Sequence, residues 1–338
     1  MKLPLLPLAL SLTLASPALA TEVDDRGQTA FQGPDTWLRA AVHMAPRFEL
    51  RRGRLVKVDP LKFEVGHVLT NDMPQSPFSA RFELTPSGTR YLAGHTFNGD
   101  TICGDIGQQG TQLDAIGHFG YQPEPGAEPL YYGGLTQGEV VGEAGLLRLG
   151  METAEPLITT MVLLDAARHL NGNNPLPAGY PISQADLEEI LDAQGLGHRG
   201  ILPGDVVFIH TGWGALWTSD PTAYYTEGPG LAHDGAVYLA DQGASLVGLD
   251  NPFTDAASAV PGVGPFPPPE TWADDAGFYP FGVHHHNLTQ AGVLQIQNLY
   301  LSELAAARVT LGAAFVLPIR IQGAGGSPIR PVVIGHPR

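Results

Sequence analysis

The spacing of apolar residues predicts one amphipathic helix with particular clarity. The stretch 183–186 (SQAD) has the form of a capping box, and Leu187, Ile190 and Leu191 follow at helical spacing. We expect this helix to end near Gly195. Residues 236–240 and 301–308 have patterns that suit two further helices.

Short continuous apolar runs between turn residues predict buried strands. Residues 205–209 (DVVFI) are closed by Thr211-Gly212, residues 246–249 (LVGL) end at Asp250, and 314–321 suit a late strand. Because strands and helices are mixed throughout, the pattern alone predicts an α/β or α+β class. We find no internal repeat and no linker that would divide the chain into two domains.

Glycine and proline interrupt these patterns often, with 42 and 30 residues in a chain of 338. So many turn residues are untypical of a helical bundle or a coiled coil. The stretch 251–282 is rich in proline and lacks periodicity, which is typical of a functional loop or lid. A surface insertion without a role is the alternative.

The charge balance excludes two classes of partner. Lys and Arg number 18 against 34 Asp and Glu, which gives a net charge of −16. Nucleic acids and anionic membranes are held chiefly by basic side chains, so we expect neither as a partner. A small neutral or anionic molecule fits this charge if the site carries a metal ion.

The first twenty residues have the pattern of a secretory signal peptide. Lys2 precedes an apolar stretch over 3–14, and 18–20 (ALA) matches a cleavage site. The apolar stretch is too short for a membrane anchor, since a span needs roughly 20 apolar residues. We therefore expect a periplasmic or secreted protein that begins near Thr21, with an N-terminal extension over 21–58 and one domain over 59–338.

Cys103 is the only cysteine, so the fold is expected to hold without an internal disulfide. A lone cysteine is most often a small buried apolar residue, and a catalytic nucleophile is the sharper alternative. The chain contains neither G-x-C-x-G nor G-x-S-x-G, which argues against the nucleophile turn of an α/β-hydrolase.

A first cluster of polar residues lies in the stretch 108–118 (QQGTQLDAIGH). On a strand, Gln108, Gln112 and Asp114 would share one face because their separations are even. Their oxygen atoms and the His118 imidazole are donors that can bind a divalent metal. The alternative is a set of polar side chains that cap turns.

A second cluster combines three consecutive histidines at 284–286 with Gln295 and Gln297. In an extended segment, His284 and His286 would point one way and His285 the other. The alternative is a solvated patch that binds metal only adventitiously.

Together the two clusters resemble the cyclase family of metal-dependent hydrolases, which includes kynurenine formamidase and isatin hydrolase. The family motif H-x-G-T-H-x-D-x-P-x-H corresponds to 108–118, with glutamine at 108 and 112 in place of histidine and Ile116 in place of proline. A second motif, a histidine followed twelve residues later by glutamate and Asn-Leu, corresponds to His285 and Gln297. The resemblance extends to 162–165 (VLLD), 204–207 (GDVV), 211–213 (TGW), 248–250 (GLD) and 327–330 (SPIR).

This resemblance implies a single-domain swivelling β/β/α fold with a mixed, largely antiparallel β core, flanking helices and a homo-oligomeric assembly. It also implies a divalent metal ion, Zn²⁺ first and Mn²⁺ as the alternative, held by Gln108, Gln112, Asp114, His285 and Gln297. Because these positions offer one carboxylate, Asp114, we expect one ion per chain and not two. His118 is expected to act as general acid and base, and its alternatives are a further ligand or a core histidine. The spacing Q-x-x-x-Q-x-D-x-x-x-H is similar to the branch of trans-dienelactone hydrolase, which opens a small lactone.

Three hypotheses on function follow from these residues. The first is a metal-dependent hydrolase that opens a small cyclic ester or amide, or a formamide-like bond. The second is a metal-free periplasmic protein that binds a small molecule, because three expected ligands are replaced by glutamine. The third is a cyclase or dehydratase that uses the same site.

Overall fold

The computed structural model describes residues 23–124, 126–257 and 281–338. The predicted signal peptide and most of the predicted loop over 251–282 lie outside these ranges. No helix of the described part is both long enough and apolar enough to cross a membrane.

The strands of the described part are β1 (Arg47–Arg51), β2 (Arg54–Val58), β3 (Leu61–Glu64), β4 (Glu83–Leu92), β5 (His95–Cys103), β6 (Gln112–Asp114), β7 (Val141–Gly142), β8 (Gly145–Leu146), β9 (Leu157–Leu164), β10 (Pro181–Ile182), β11 (Val206–Ile209), β12 (Gly230–Leu231), β13 (Leu246–Leu249), β14 (Leu294–Gln297), β15 (Leu311–Val316), β16 (Gly326–Pro328) and β17 (Val332–Gly335). Nine of them form the sheet that carries the fold, in the order β16-β6-β14-β13-β11-β9-β15-β17-β3. The four central strands β14, β13, β11 and β9 are parallel to one another. The pairings outside them are antiparallel.

Helices cover the sheet and lie in its connections. They are α1 (Pro34–Met44), α2 (Gln137–Val140), α3 (Ala166–Leu170), α4 (Gln184–Ala193), α5 (Pro221–Thr226), α6 (His233–Asp241), α7 (Gly282–His284) and α8 (Ser302–Ala306), with a π-helix at His285–Ala291 and 3₁₀ turns at Gly27–Phe31, Ile116–His118, Tyr132–Gly134, Met151–Thr153 and Trp213–Leu216. This arrangement confirms the expected mixed α/β fold with a largely antiparallel sheet.

The core lies on both faces of the sheet. Along β11, Val206 and Phe208 pack into one apolar cluster, while Val207 and Ile209 pack into the other. All four side chains are buried, as expected for a central parallel strand that is covered on both faces.

The clearest sequence prediction, the helix that begins after Ser183, is confirmed as α4. Its capping box is formed, since the Ser183 hydroxyl accepts a hydrogen bond from the Asp186 amide at 3.2 Å. The predicted strands at 205–209 and 246–249 correspond to β11 and β13, and the predicted helices at 236–240 and 301–308 to α6 and α8.

The late strand is shifted from its predicted range of 314–321. β15 begins at Leu311 and ends at Val316, two residues before Pro318. Proline lacks the amide hydrogen that continues a strand ladder, so the apolar residues beyond it lie outside the sheet.

The segment before residue 59 contacts the sheet through α1, which packs against β9 and β15 and buries Ala40 completely. The antiparallel hairpin of β4 and β5, in contrast, is exposed over most of its length. Cys103 ends this hairpin and is exposed, so the expectation of a buried cysteine is wrong.

Candidate functional site

Strands β6 and β14 bring the two predicted polar clusters together. They pair antiparallel, with Gln112 opposite Gln297 and Asp114 opposite Gln295. The alternate residues Leu113 and Ile296 pack into the core, so the polar side chains share the other face of the sheet. The expectation that Gln112 and Asp114 share a face is thereby confirmed, while Gln108 joins them from the turn that precedes β6.

The centre of this site is the carboxylate of Asp114, which is fully buried. Gln108 Nε2 donates to Asp114 Oδ1 at 3.1 Å, and Gln297 Nε2 donates to Oδ2 at 2.6 Å. Gln112 Nε2 donates to Gln108 Oε1 at 2.8 Å and joins the same network. We call Gln108, Gln112, Asp114 and Gln297 the glutamine cluster.

Asp114 is an anion despite its burial. Burial alone would raise the pKa of its carboxyl group, but the charges of His118 and His284 and the hydrogen bond from Gln297 outweigh that effect. The pKa of Asp114 is lowered to about 2 as a result. The cluster therefore presents one negative charge among neutral amides.

The histidine that contacts this carboxylate is His284, whose Nε2 lies 3.6 Å from Asp114 Oδ2. Its other ring nitrogen, Nδ1, is hydrogen-bonded to Asp255, which also accepts the Val283 amide at 2.7 Å. Burial opposes the imidazolium charge, but the two carboxylates outweigh burial and raise the pKa of His284 to about 9. Asp255 thus orients the ring and favours its charged form.

His285, the predicted ligand, is not brought to the glutamine cluster. Its Nδ1 lies 3.1 Å from Thr289 Oγ1, and its ring lies edge-on to Tyr121 with centroids 4.4 Å apart. Burial and the neighbouring histidines lower the pKa of His285 to about 4. The segment is helical instead of extended, so consecutive side chains point about 100° apart, and His284 takes the position expected for His285.

His118 lies at the edge of the site, on the 3₁₀ turn that follows β6. Its Nδ1 is 3.4 Å from Gln108 Nε2, and its ring centroid is 6.5 Å from that of His284. The structure thus brings the predicted His118 beside the glutamine cluster.

A neighbouring glycine shapes the cluster itself. A Cβ added at Gly326, on β16, would lie 2.6 Å from Gln108 Nε2. The nearest atom, the carbonyl oxygen of Gly107, would lie closer still, so glycine at this position leaves room for the backbone of the turn that carries Gln108. No property of the glycine-rich sequence 323–326 singles this residue out.

The donor atoms of the cluster suit a divalent cation. The side-chain oxygens of Gln112 and Gln297 are buried and have no hydrogen-bond partner in the described part of the chain. Buried acceptors without a partner are uncommon, and carbonyl oxygens beside a carboxylate are ligands for metal ions. With His284 and His118 at its edge, the cluster offers oxygen and nitrogen donors around one anion.

This donor set depends on amides. Within the described ranges, no three side chains drawn only from His, Cys, Asp and Glu form a group that could hold a metal ion. Amide oxygens do not neutralise a cation, so the set suits one divalent ion better than two adjacent ones.

Two further aspartates have clear structural roles. Asp250, in the family-like stretch 248–250, accepts the amides of Thr211 and Gly212 at 2.7 and 3.0 Å and so holds that turn. Asp255 instead supplies the second acid of the site, through His284. The sequence did not single out Asp255, because the family-like stretch 248–250 contains Asp250 and not Asp255.

Comparison with known proteins agrees with this architecture. No curated protein sequence matches the chain. A crystal structure described as a novel cyclase is 23% identical, with 92% of this chain and 94% of that chain covered and a TM-score of 0.74. Isatin hydrolase A from Labrenzia aggregata is 17% identical, with coverages of 81% and 93% and a TM-score of 0.55.

Isatin hydrolase A from Ralstonia solanacearum is similar to the same extent, at 19% identity, coverages of 81% and 92% and a TM-score of 0.55. At sequence identities this low, the structural similarity shows a shared fold and nothing more. The family model described as "Putative cyclase" matches residues 63–256, which include the 108–118 motif, Asp250 and Asp255. Because the match spans more than half of the sequence, the chain belongs to this cyclase family.

Proposed function

We propose that this chain is a metal-dependent hydrolase that opens a small cyclic ester or amide, or a formamide-like bond. One observation carries the proposal: Asp114, three glutamine amides and two histidines from separate segments converge, and two of the buried amide oxygens have no hydrogen-bond partner among the described residues. A buried network with unpaired acceptors is costly unless a ligand completes it. Two solved structures with this fold are named isatin hydrolases, which is consistent with hydrolysis.

The residues that would hold the ion are Asp114, with Gln108, Gln112 and Gln297 as neutral donors and His284 in place of the predicted His285. Zn²⁺ is our first choice and Mn²⁺ the alternative. When bound, such an ion polarises a carbonyl group and lowers the pKa of its water toward roughly 7. Asp255 fixes the orientation of His284, as carboxylates commonly do for metal-bound histidines.

His118 is the residue we propose to move the proton. Its Nδ1 faces the cluster, so this atom would accept the proton of the attacking water and then donate it to the leaving group. Phe119 and Phe281 lie beside His284, with ring centroids 5.5 and 5.3 Å from its ring. Their apolar rings limit the access of bulk water to this side of the site.

The experiment is a screen of the purified chain against lactones (including dienelactones), isatin and N-formyl aromatic amines. We expect at least one compound to gain the mass of one water, and we expect a chelator to abolish this turnover and Zn²⁺ or Mn²⁺ to restore it. Turnover that persists without metal would contradict the metal-dependent mechanism. A product that has lost water or kept its mass would instead indicate a dehydratase or a cyclase.

A metal-free binding protein is the second candidate. It is favoured by one feature, namely that both oxygens of Asp114 already accept hydrogen bonds from amides. Calorimetry with the same compounds separates the two candidates. Binding without any bound metal or turnover would favour the binding protein.

We further propose export and assembly into a homo-oligomer. The support for export is the pattern of the first twenty residues, and the support for assembly is the family resemblance. Mass spectrometry of the expressed chain should find an N-terminus near Thr21, and light scattering should give a mass above that of one chain.

A further inference from the structure

The buried side-chain amide of Asn298 links the loop before β6 to the end of β14, in addition to the pairing of the two strands. Asn298 Nδ2 donates to the carbonyl of Gly110 at 2.7 Å, and Thr111 Oγ1 donates to the carbonyl of Asn298 at 2.6 Å. Asn298 has a left-handed backbone with φ of 57°, which asparagine tolerates better than most residues. The loop between Gln108 and Gln112 is therefore attached to the residue that follows Gln297.

The orientation of this amide is set by a third segment. The hydroxyl of Tyr224, on α5, donates to Asn298 Oδ1 at 2.8 Å, and Tyr224 is fully buried. Trp213 Nε1 donates to the carbonyl of Tyr224 at 3.1 Å and so fixes α5 in turn. Because Gly110 offers only an acceptor and Tyr224 offers a donor, the Asn298 amide is favoured in one orientation.

We infer that Tyr224 and Asn298 are positioning residues of the proposed metal site. Strand pairing already holds Gln112 opposite Gln297, so these two residues act on the loop at 108–111. They fix that loop against the end of β14, so Gln108 stays within reach of Asp114. The inference rests on the proposed function, because the spacing matters most when an ion is to be held. Neither side chain is required to touch the ion.

The mechanism is a matter of hydrogen-bond pairing. Without the Tyr224 hydroxyl, Asn298 Oδ1 is left buried without its donor, which is unfavourable. The amide is then free to rotate, and its bond to Gly110 weakens. Errors of this kind in the shell around a metal site typically lower metal affinity by roughly 10–100-fold.

Tyr225 provides a matched control in the same helix. It is 7% exposed, and its hydroxyl has no hydrogen-bond partner within the described ranges. Tyr225→Phe therefore removes the same atom as Tyr224→Phe without removing a hydrogen bond. Thr159→Val is a second control. Thr159 lies on β9, which β14, β13 and β11 separate from β6, and the change deletes its buried hydrogen bond to the carbonyl of Gly204.

The test measures Zn²⁺ affinity by competition with a chelator, together with hydrogen exchange of the metal-free chain by mass spectrometry. For Tyr224→Phe and Asn298→Gly we expect affinity to fall by roughly 10–100-fold and exchange at 108–112 to become faster. Asn298→Gly removes the amide but keeps a residue that accepts the left-handed backbone. We expect Tyr225→Phe to match the wild-type chain in both measurements.

Thermal unfolding of each variant separates positioning from a general loss of stability. An affinity loss in Thr159→Val equal to that in Tyr224→Phe would overturn the inference, and so would unchanged affinity and exchange in Tyr224→Phe. If the wild-type chain takes up neither Zn²⁺ nor Mn²⁺, the proposed function fails, and the hydrogen-exchange data then test the positioning role by themselves. Faster exchange in Tyr224→Phe alone would then support the positioning role, whereas equal exchange in both tyrosine variants would overturn it.

Discussion

Two buried clusters in this molecule each place a histidine between two aspartates, yet their surroundings differ. In the first cluster, Asp165, His210 and Asp250 directly follow the neighbouring parallel strands β9, β11 and β13. His210 Nδ1 lies 2.8 Å from Asp165 Oδ1, and its Nε2 lies 3.8 Å from Asp250 Oδ2. In the second cluster, His284 lies between Asp255 and Asp114.

The difference lies in how completely the polar atoms are paired. Asp165 is paired with Arg168 at 2.8 Å, and Asp250 accepts the hydroxyl of Thr211 and two backbone amides. In both clusters the histidine and the two aspartates have partners. Around Asp114, however, Gln112 and Gln297 each carry a buried oxygen without a hydrogen-bond partner in the described part of the chain, whereas Arg168 and Thr211, which hold Asp165 and Asp250, carry no such atom. A fully paired cluster holds strand ends together, and an incompletely paired one is suited to a ligand.

The largest expected effect is that of Asp114→Asn. The change keeps the shape of the side chain but removes the anion that faces the proposed cation. We expect metal affinity to fall by more than the roughly 10–100-fold of an outer-shell change, and turnover to be lost with the metal. Elemental analysis and the hydrolysis assay provide the measurements.

The matched change in the first cluster is Asp165→Asn, which should lower the melting temperature and leave metal content unchanged. Full activity with normal metal content in Asp114→Asn would contradict the metal assignment. Loss of metal in Asp165→Asn would remove the distinction between the clusters.

The next effect in size is expected for His118→Ala. Metal should be retained, and kcat should fall by roughly 10²–10⁴-fold, the usual contribution of a general acid and base. Steady-state kinetics on the metal-loaded variant measure this. If metal is lost together with activity, His118 is a ligand and not the proton carrier.

A smaller effect is expected for Asp255→Asn, which weakens the hold on His284 Nδ1. The pKa of His284 should fall from its present value of about 9, because one of its two carboxylate partners becomes neutral. Metal affinity should fall by roughly 10–100-fold. NMR titration of the ring and chelator competition test both expectations, and an unchanged pKa would show that Asp114 alone sustains the charge.

The smallest effect concerns pH and the first cluster. Burial would lower the pKa of His210, but Asp165 and Asp250 outweigh it and raise the pKa above the ordinary 6.5. A raised pKa in the folded state contributes stability below the unfolded value, and this contribution is lost as pH rises through the folded value. We therefore expect the melting temperature to decline as pH rises through that window, and we expect a flatter profile for His210→Gln in thermal unfolding followed across pH.

The sequence was sufficient for elements whose signals are local. The capping box of α4 and the apolar runs of β11 and β13 are contained in a few adjacent residues, and all three elements were predicted. The same holds for Gln112 and Asp114, since strand periodicity placed them on one face. The family motif supplied Gln297 on a strand nearly two hundred residues away.

Two kinds of feature could not be predicted: whether the histidine segment is helical or extended, and which residues far apart in the sequence come into contact. Three identical residues at 284–286 show no difference between an extended and a helical segment. The motif was therefore aligned with His285, whereas the structure brings His284 to Asp114. The pairing of Asp255 with His284 joins residues 29 positions apart and has no local pattern. The bond between Tyr224 and Asn298 is equally invisible before the fold brings α5 to the end of β14.

The measurement that tests the central claim most directly is the metal stoichiometry of the purified chain after exhaustive dialysis. We predict one divalent ion per chain, because the glutamine cluster contains one carboxylate, Asp114, and Asp255 is engaged by His284 Nδ1. A stable value near two would contradict the account, since it requires an acidic ligand that we have not identified. A value near zero with undiminished binding of small molecules would also contradict it, and would favour a binding protein on the same fold.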